Sequence, residues 1–257
     1  MNASSPSMDR WKRLPVLLAA VLAVAGLYRP SRADDSAGSP SFQLRTGIAV
    51  SQHQGVKERN LEYRVASRYR TGFTAGASLL LPVTKRFGVQ QEINYVQRGS
   101  RQKIGATILE IPTDLDVTYD LDYLEIPSLF RFAWTDPEPP TLYSLFGFAF
   151  SLRVRDRYRL SGEVDDGEQV IPLRADADLS EVDLFDYSLV YGVGSEITRV
   201  AGRALSLEYR FTLGWNELRL PTYAYVPFGD DDEILVDEAG PVPLHNQSHT
   251  VAVGWRF

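Results

Sequence analysis

Leu205-Ser206-Leu207-Glu208-Tyr209-Arg210-Phe211-Thr212-Leu213-Gly214 alternates without a break. Leu, Leu, Tyr, Phe and Leu take the odd positions, and Ser, Glu, Arg, Thr and Gly the even ones. A side-chain period of two describes a β-strand whose two faces meet different surroundings. The fold turns on which face looks inward. A soluble barrel hides the apolar face, whereas a membrane barrel turns it to lipid and fills its middle with polar groups.

The same period recurs on both sides of this stretch. Phe42, Leu44, Thr46, Ile48 and Val50 repeat it, as do Phe73, Ala75, Ala77, Leu79 and Leu81, and then Val251, Val253, Trp255 and Phe257 at the end of the chain. Eight strands are predicted, at about 41–51, 71–81, 87–97, 117–134, 141–153, 184–197, 204–214 and 247–257. The intervening connections run to about 19, 5, 19, 6, 30, 6 and 32 residues, so long and short alternate. An up-and-down barrel sorts its connections in this way, short turns at one rim and long loops at the other, and a sandwich has no reason to. The expected fold is an all-β, eight-stranded antiparallel up-and-down transmembrane β-barrel, with both termini at the short-turn, periplasmic rim.

The totals agree. The chain has 257 residues, 27 Lys+Arg against 33 Asp+Glu, and no Cys. Those values exclude a multi-span helical membrane protein, a disulfide-stapled miniprotein, a Cys-ligated metal site and a basic nucleic-acid binder. Arg10, Lys12, Arg13, Arg29 and Arg32 face only Asp9 in the first 33 residues. A basic start, the apolar run Leu14–Leu27 and the small residues of Ser31-Arg32-Ala33 read as a cleaved secretory signal. The apolar run is shorter than the roughly 20 residues of a spanning helix. The expected organisation is a signal peptide at 1–33, a short periplasmic segment at 34–40 and an outer-membrane barrel at 41–257.

The polar faces of the predicted strands carry Arg45, Glu92, Glu125, Arg131, Arg153, Asp186, Glu196, Glu208, Arg210 and Arg256, five of each sign, and these are expected to form an interior charge network. The opposite faces hold almost no ionisable group. Phe146, Phe148, Phe150, Tyr187, Leu189, Tyr191, Leu207, Tyr209 and Phe211 would form a large bare surface with no amphipathic helix to cover it, so lipid is the expected partner. Trp134, Trp215, Trp255 and the terminal Phe257 fall at strand ends, where an aromatic girdle meets the headgroups. The closing Val253, Trp255, Phe257 pattern fits the terminal signal read by the barrel-assembly machinery. A soluble carrier would need the Phe146–Phe150 face to turn inward around a ligand.

Val89-Gln90-Gln91-Glu92-Ile93-Asn94-Tyr95-Val96-Gln97-Arg98-Gly99 and Leu121-Asp122-Tyr123-Leu124-Glu125-Ile126-Pro127-Ser128-Leu129-Phe130-Arg131 resemble the third and fourth strands of PorT-like outer-membrane β-barrels. The Tyr-Leu-Glu-Ile-Pro phrase is the specific part. The resemblance implies an eight-stranded barrel without a defined activity, some relatives of which serve type IX secretion. Locally, alternation changes parity near Tyr123 and Leu124, for which a β-bulge is the simplest cause. Glu125 then points inward, with Arg131, Arg210 or Arg45 as its expected partner.

The chemistry on offer is sparse. Eight strands leave room only for their own side chains, which disfavours a general pore. Catalysis would need Ser248-His249 with Glu238 or Glu217, the arrangement of a lipid A-modifying barrel, but His249 sits in an ordinary strand and the reading is non-enzymatic. Acidic groups cluster at Asp156, Glu163, Asp165, Asp166, Glu168, Asp176, Asp178, Glu181 and Asp183, and again at Asp230, Asp231, Asp232, Glu233, Asp237 and Glu238. They lack EF-hand spacing and read as solvated loops that either keep the rim soluble or bridge lipopolysaccharide through divalent cations. No cofactor, catalytic residue, metal ligand or nucleic-acid partner is expected. The expected role is structural or surface-interacting through the loops, with accessory work in secretion or lipid A modification as alternatives.

Overall fold

The computed structural model describes residues 39–54, 64–108, 111–135, 140–165, 167, 169–177, 184–200, 203–215, 218–220, 223–225, 234–236 and 242–257. Twelve strands occur among them: β1 (Ser41–Gln54), β2 (Arg64–Pro82), β3 (Phe87–Ile108), β4 (Ile111–Ala133), β5 (Thr141–Asp165), β6 (Val170–Ala177), β7 (Phe185–Val200), β8 (Arg203–Gly214), β9 (Leu218–Leu220), β10 (Tyr223–Tyr225), β11 (Ile234–Val236) and β12 (Val242–Arg256). Eight of them, β1, β2, β3, β4, β5, β7, β8 and β12, form one antiparallel ring in chain order, closed by β12 against β1 from Gln43↔Arg256 to Gln54↔His245. Closure leaves the ring itself without an open edge among the described residues, as a β structure in lipid requires. The predicted signal peptide and most of the 34–40 segment lie outside the described residues.

β1 and β8 show the period read from their sequences. On β1, Gln43, Arg45, Ala49, Ser51 and His53 are buried, while Phe42, Leu44 and Ile48 are 44%, 49% and 55% exposed. On β8 the burial pattern alternates from Ala204 to Gly214, with Glu208 and Arg210 inward and Leu207 and Tyr209 outward. The outer surface thereby becomes an apolar belt: Phe42 to Val50 on β1, Leu124 to Phe132 on β4, Leu142 to Phe150 on β5 and Tyr187 to Val193 on β7. The phenyl rings of Phe146 and Phe148 pack edge to face, and Phe146 meets Tyr191 at 5.1 Å. The short turn between β2 and β3 is fastened by Val83 N donating to Phe87 O at 2.8 Å and Phe87 N donating to Thr84 Oγ1 at 3.0 Å.

Two expectations are corrected. The 19-residue connection expected between the third and fourth strands is mostly strand, because β3 continues to Ile108 and β4 begins at Ile111. The 30-residue connection after the fifth strand likewise holds the rest of β5 and the paired β6. Nor does β4 change parity at Tyr123: its odd positions from Thr113 to Ala133 are buried throughout, Pro127 included. What changes is polarity. Up to Glu125 the inward face is polar or charged at several levels, whereas beyond it Tyr123, Leu121, Tyr119, Val117 and Leu115 join Tyr158, Leu160, Val164 and Leu173 in a buried apolar cluster. Over the same stretch Asp114, Asp116, Arg157 and Arg159 face outward. The strands thus pass from a lipid-type arrangement to a water-type one without breaking. A bulge does exist at this level, but on β5, where Val154 is the extra residue between Asp122↔Arg155 and Tyr123↔Arg153.

Candidate functional site

The interior is the chemically distinctive part of the molecule, and its charges are stacked in three tiers. Nearest the short turns, Glu196 on β7 accepts from Arg131 on β4 and from Arg256 on β12, the latter through Nη2 at 2.7 Å to Oε2. The Arg131 guanidinium also lies 3.9 Å from the centre of the Tyr143 ring. A shallow cavity of about 100 Å³ opens at this rim, lined by Lys85, Arg86, Thr141 and the three charged residues.

The central tier is a four-membered ring of charge. Glu92 on β3 accepts from Arg210 Nη1 and Nη2, both at 2.7 Å, from Arg45 Nη1 at 2.9 Å and from Asn94 Nδ2 at 2.9 Å. Glu208 accepts from Arg210 Nε at 3.0 Å and Nη2 at 2.6 Å, and from the Tyr143 hydroxyl at 2.8 Å. Arg45 Nη2 completes the ring 3.3 Å from Glu208. Two guanidinium forks and two carboxylates cancel in charge, and every side chain in the ring is at least nine-tenths buried. In a space this dry, a charge persists only when paired and hydrogen-bonded.

In the third tier, Glu125 pairs with Arg98 Nη2 at 2.5 Å and accepts from Ser151 Oγ at 3.1 Å. Its expected partners Arg131, Arg210 and Arg45 are thus replaced by Arg98. The reason is axial height: Glu125 stands opposite Asn94, a row beyond Glu92, and the central arginines are already engaged lower down. The predicted third strand stops at residue 97 and leaves Arg98 in a loop, whereas the continuation of β3 brings it inside. Asn246 Nδ2 donates to Asp186 Oδ2 and to the Tyr123 hydroxyl, both at 3.1 Å, and Arg153 meets Asp156 at 3.2 Å. The ten charged residues read on the polar faces, Asp186 among them, all lie on the inward face.

Just above, His53 Nδ1 lies 2.6 Å from Ser100 Oγ, and its ring meets Tyr119 edge-on at 5.8 Å. Burial keeps this imidazole neutral and lowers its proton affinity to a pKa of about 4. Burial also raises Tyr119, and pushes the Tyr158 phenol up to about 12. The His–Ser pair weighed and set aside in the sequence, Ser248 with His249, is a different one, and the two side chains are not brought together. Ser248 is buried inside, while His249 points outward between Tyr209, Phe211 and Tyr69, its Nδ1 2.8 Å from the Tyr209 hydroxyl. Adjacent residues on one strand face opposite sides, so the period of two itself separates them. Glu217 and Glu238, the acids considered with them, lie outside the described residues.

The aromatic residues expected at strand ends are all exposed: Trp134 at 63%, Trp215 at 69%, and Trp255 and Phe257 less so. Trp134 meets Phe132 at 5.3 Å, and Phe257, whose amide donates to Phe42 O, lies beneath the Arg203 guanidinium. Of the acidic loop residues, Asp156 and Asp176 are engaged by Arg153 and Arg157. Asp166, Glu168, Asp178, Glu181, Asp183, Asp230, Asp231, Asp232, Glu233, Asp237 and Glu238 lie outside the described residues.

With an apolar outer belt and an ionic interior established, sequence comparison is decisive. A family described as "Outer membrane protein beta-barrel domain" matches residues 33–218. The chain belongs to that family. This outer-membrane barrel is therefore located in the cell outer membrane, and the outward phenyl rings face lipid. No curated protein matches its sequence. Among solved structures it is similar to the outer membrane protein OprG from Pseudomonas aeruginosa, at 10% identity, covering 86% of this chain and 98% of that one with a TM-score of 0.43. It is similar also to Ail, the attachment invasion locus protein of Yersinia pestis, at 14% identity, 86% and 100% coverage and a TM-score of 0.37. Neisserial surface protein A gives 13% identity, the same coverage and a TM-score of 0.36.

Proposed function

We propose that this outer-membrane barrel is a plugged, non-enzymatic surface protein: its membrane part is an anchor, and its work is done by the strands and loops that rise beyond the lipid belt. The observation that carries this reading is the central Glu92–Arg210–Glu208–Arg45 ring, which occupies the barrel axis with mutually neutralised charge. A pore needs an open, hydrated lumen, and an enzyme needs an accessible nucleophile. Here Ser248 and His249 point to opposite faces, and the His53–Ser100 pair is buried beside Tyr119 of the apolar cluster.

Its partners on this reading are outer-membrane lipid and lipopolysaccharide, and the barrel-assembly machinery during biogenesis. Trp134, Trp215, Trp255 and Phe257 would act as the girdle that fixes its depth. The nearer kinship with PorT-like barrels, and the alternative role as a secretion accessory, rest on the Tyr123–Pro127 phrase. The test is fractionation with gel mobility before and after boiling. Recovery in membranes with a heat-dependent mobility shift supports the proposal, and recovery in the soluble periplasmic fraction overturns it.

A further inference from the structure

Above the apolar belt, the outward face of β2 to β5 is a mesh of ion pairs with two cations left over. Arg155 lies 3.9 Å from Asp122, Arg70 lies 2.8 Å from Asp120, which Arg159 also contacts, Arg157 lies 3.6 Å from Asp176 and Lys103 4.0 Å from Asp116. Arg68 and Arg101 are exposed and meet no carboxylate among the described residues. They are also directly opposite one another across β2 and β3. Residues so placed have Cβ atoms about 5 Å apart, and like charges there repel. Thr118, opposite Arg101 on β4, is uncharged, and the carboxylates diagonal to Arg101, Asp116 and Asp120, are already engaged by Lys103, Arg70 and Arg159.

The height of this pair matters. Thr118, in the same row, is four residues beyond Asp122, where the belt ends. At roughly 3.3 Å per residue that is about 13 Å along the strand, or about 10 Å above the belt for a strand tilted by about 40°. The pair therefore stands on the loop side at the outer edge of the polar layer, above the exposed Phe73 of β2. A site at this height meets an anion that the membrane itself holds in place, at a far higher effective concentration than a free ion.

We propose that Arg68 and Arg101 together clasp a phosphate group of the outer-leaflet glycolipid, whose acyl chains lie along the belt below. Two guanidinium forks approach one tetrahedral phosphate from adjacent strands, each offering paired N–H donors to its oxygens. The phosphate removes the repulsion that the bare pair carries. The inference rests on the assignment of the apolar belt to lipid, and it adds a specific ligand contact to the proposed surface role.

The test uses the full chain purified in detergent, with purified lipopolysaccharide, phosphate-stripped lipopolysaccharide and inorganic phosphate as probes, and bound glycolipid read by native mass spectrometry. Wild type is expected to hold intact lipopolysaccharide about ten-fold more tightly than the double variant Arg68→Gln/Arg101→Gln. The stripped form should bind both alike, and Arg68→Lys/Arg101→Lys should fall between. Equal retention of intact lipopolysaccharide by wild type and the Gln variant overturns the proposal. So does displacement by millimolar inorganic phosphate, which would mark a free-ion site. Heat-dependent gel mobility is measured on each sample. If it is lost in the Gln variant alone, the Lys variant is compared with wild type and equal retention by those two overturns the proposal, whereas its absence in wild type overturns the barrel assignment and this site with it.

Discussion

Single residues inside the barrel are held by partners that cannot be exchanged for water. Replacing Glu92 by Gln leaves Arg210 and Arg45 facing a neutral amide, and the expected cost is about 3–5 kcal/mol. Replacing Glu92 and Arg210 together by Leu and Met should cost distinctly less than either single change, because no orphaned charge remains. Urea unfolding of the barrel in lipid vesicles measures both. His53 gives a prediction of a different kind. The unfolded imidazole takes its proton near 6.5, the folded one only near 4. Its contribution is therefore complete above pH 6.5 and is lost as the pH falls toward 4, by up to about 3 kcal/mol. His53→Gln should flatten the stability profile in that window, and an unchanged slope would show that another group titrates. The inward direction of Arg45, Glu92, Glu208 and Arg210 was legible from parity alone. Their pairing was not, since parity gives a face and not a height. That is why Glu125 was matched to the wrong arginines.

At the scale of an element, β4 and β5 each cross two solvents. Residues outward on the belt, such as Phe148, need an apolar neighbour, while outward residues on the extension, such as Ser161, need a polar one. Phe148→Arg is therefore expected to cost about 2–4 kcal/mol, and Ser161→Arg less than about 0.5 kcal/mol, both read as shifts in unfolding midpoint in vesicles. Equal costs would contradict the position of the belt. The strands within the belt could be read from sequence because their alternation keeps one sense. The extension could not, because its apolar residues move to the inside while its outward ones become Arg and Asp. A pattern search that expects grease outside then sees an irregular loop. Gly99 adds to the disguise. Its φ of +147° falls within β3 where the polarity changes, and an added Cβ would sit 1.9 Å from the Tyr119 carbonyl oxygen.

For the whole molecule, eight strands in an unbroken ring and a filled axis predict an electrically silent barrel. Reconstitution into planar bilayers should yield no stable channel openings, and regular conductance steps from the wild-type chain would refute the plug. Removing the first 33 residues on export is likewise testable, by N-terminal sequencing of the protein recovered from outer membranes, with Asp34 expected first. The ring order and strand count followed from the sorted connection lengths, even though two of those lengths proved to be strand. The rim assignment survived although the β3–β4 connection is no longer long, because lengthening neighbouring strands shortens the loop between them without moving it to the other rim.

The abrupt end of the apolar belt at Asp122 acts as a waterline. Sinking the barrel by one strand pair would drag Asp122 and Asp120 with their arginines into hydrocarbon, and raising it would bare Phe130 and Phe132 at the opposite rim. Neither displacement is cheap, so a bilayer thicker or thinner than the belt must deform around the protein rather than the protein drift within it.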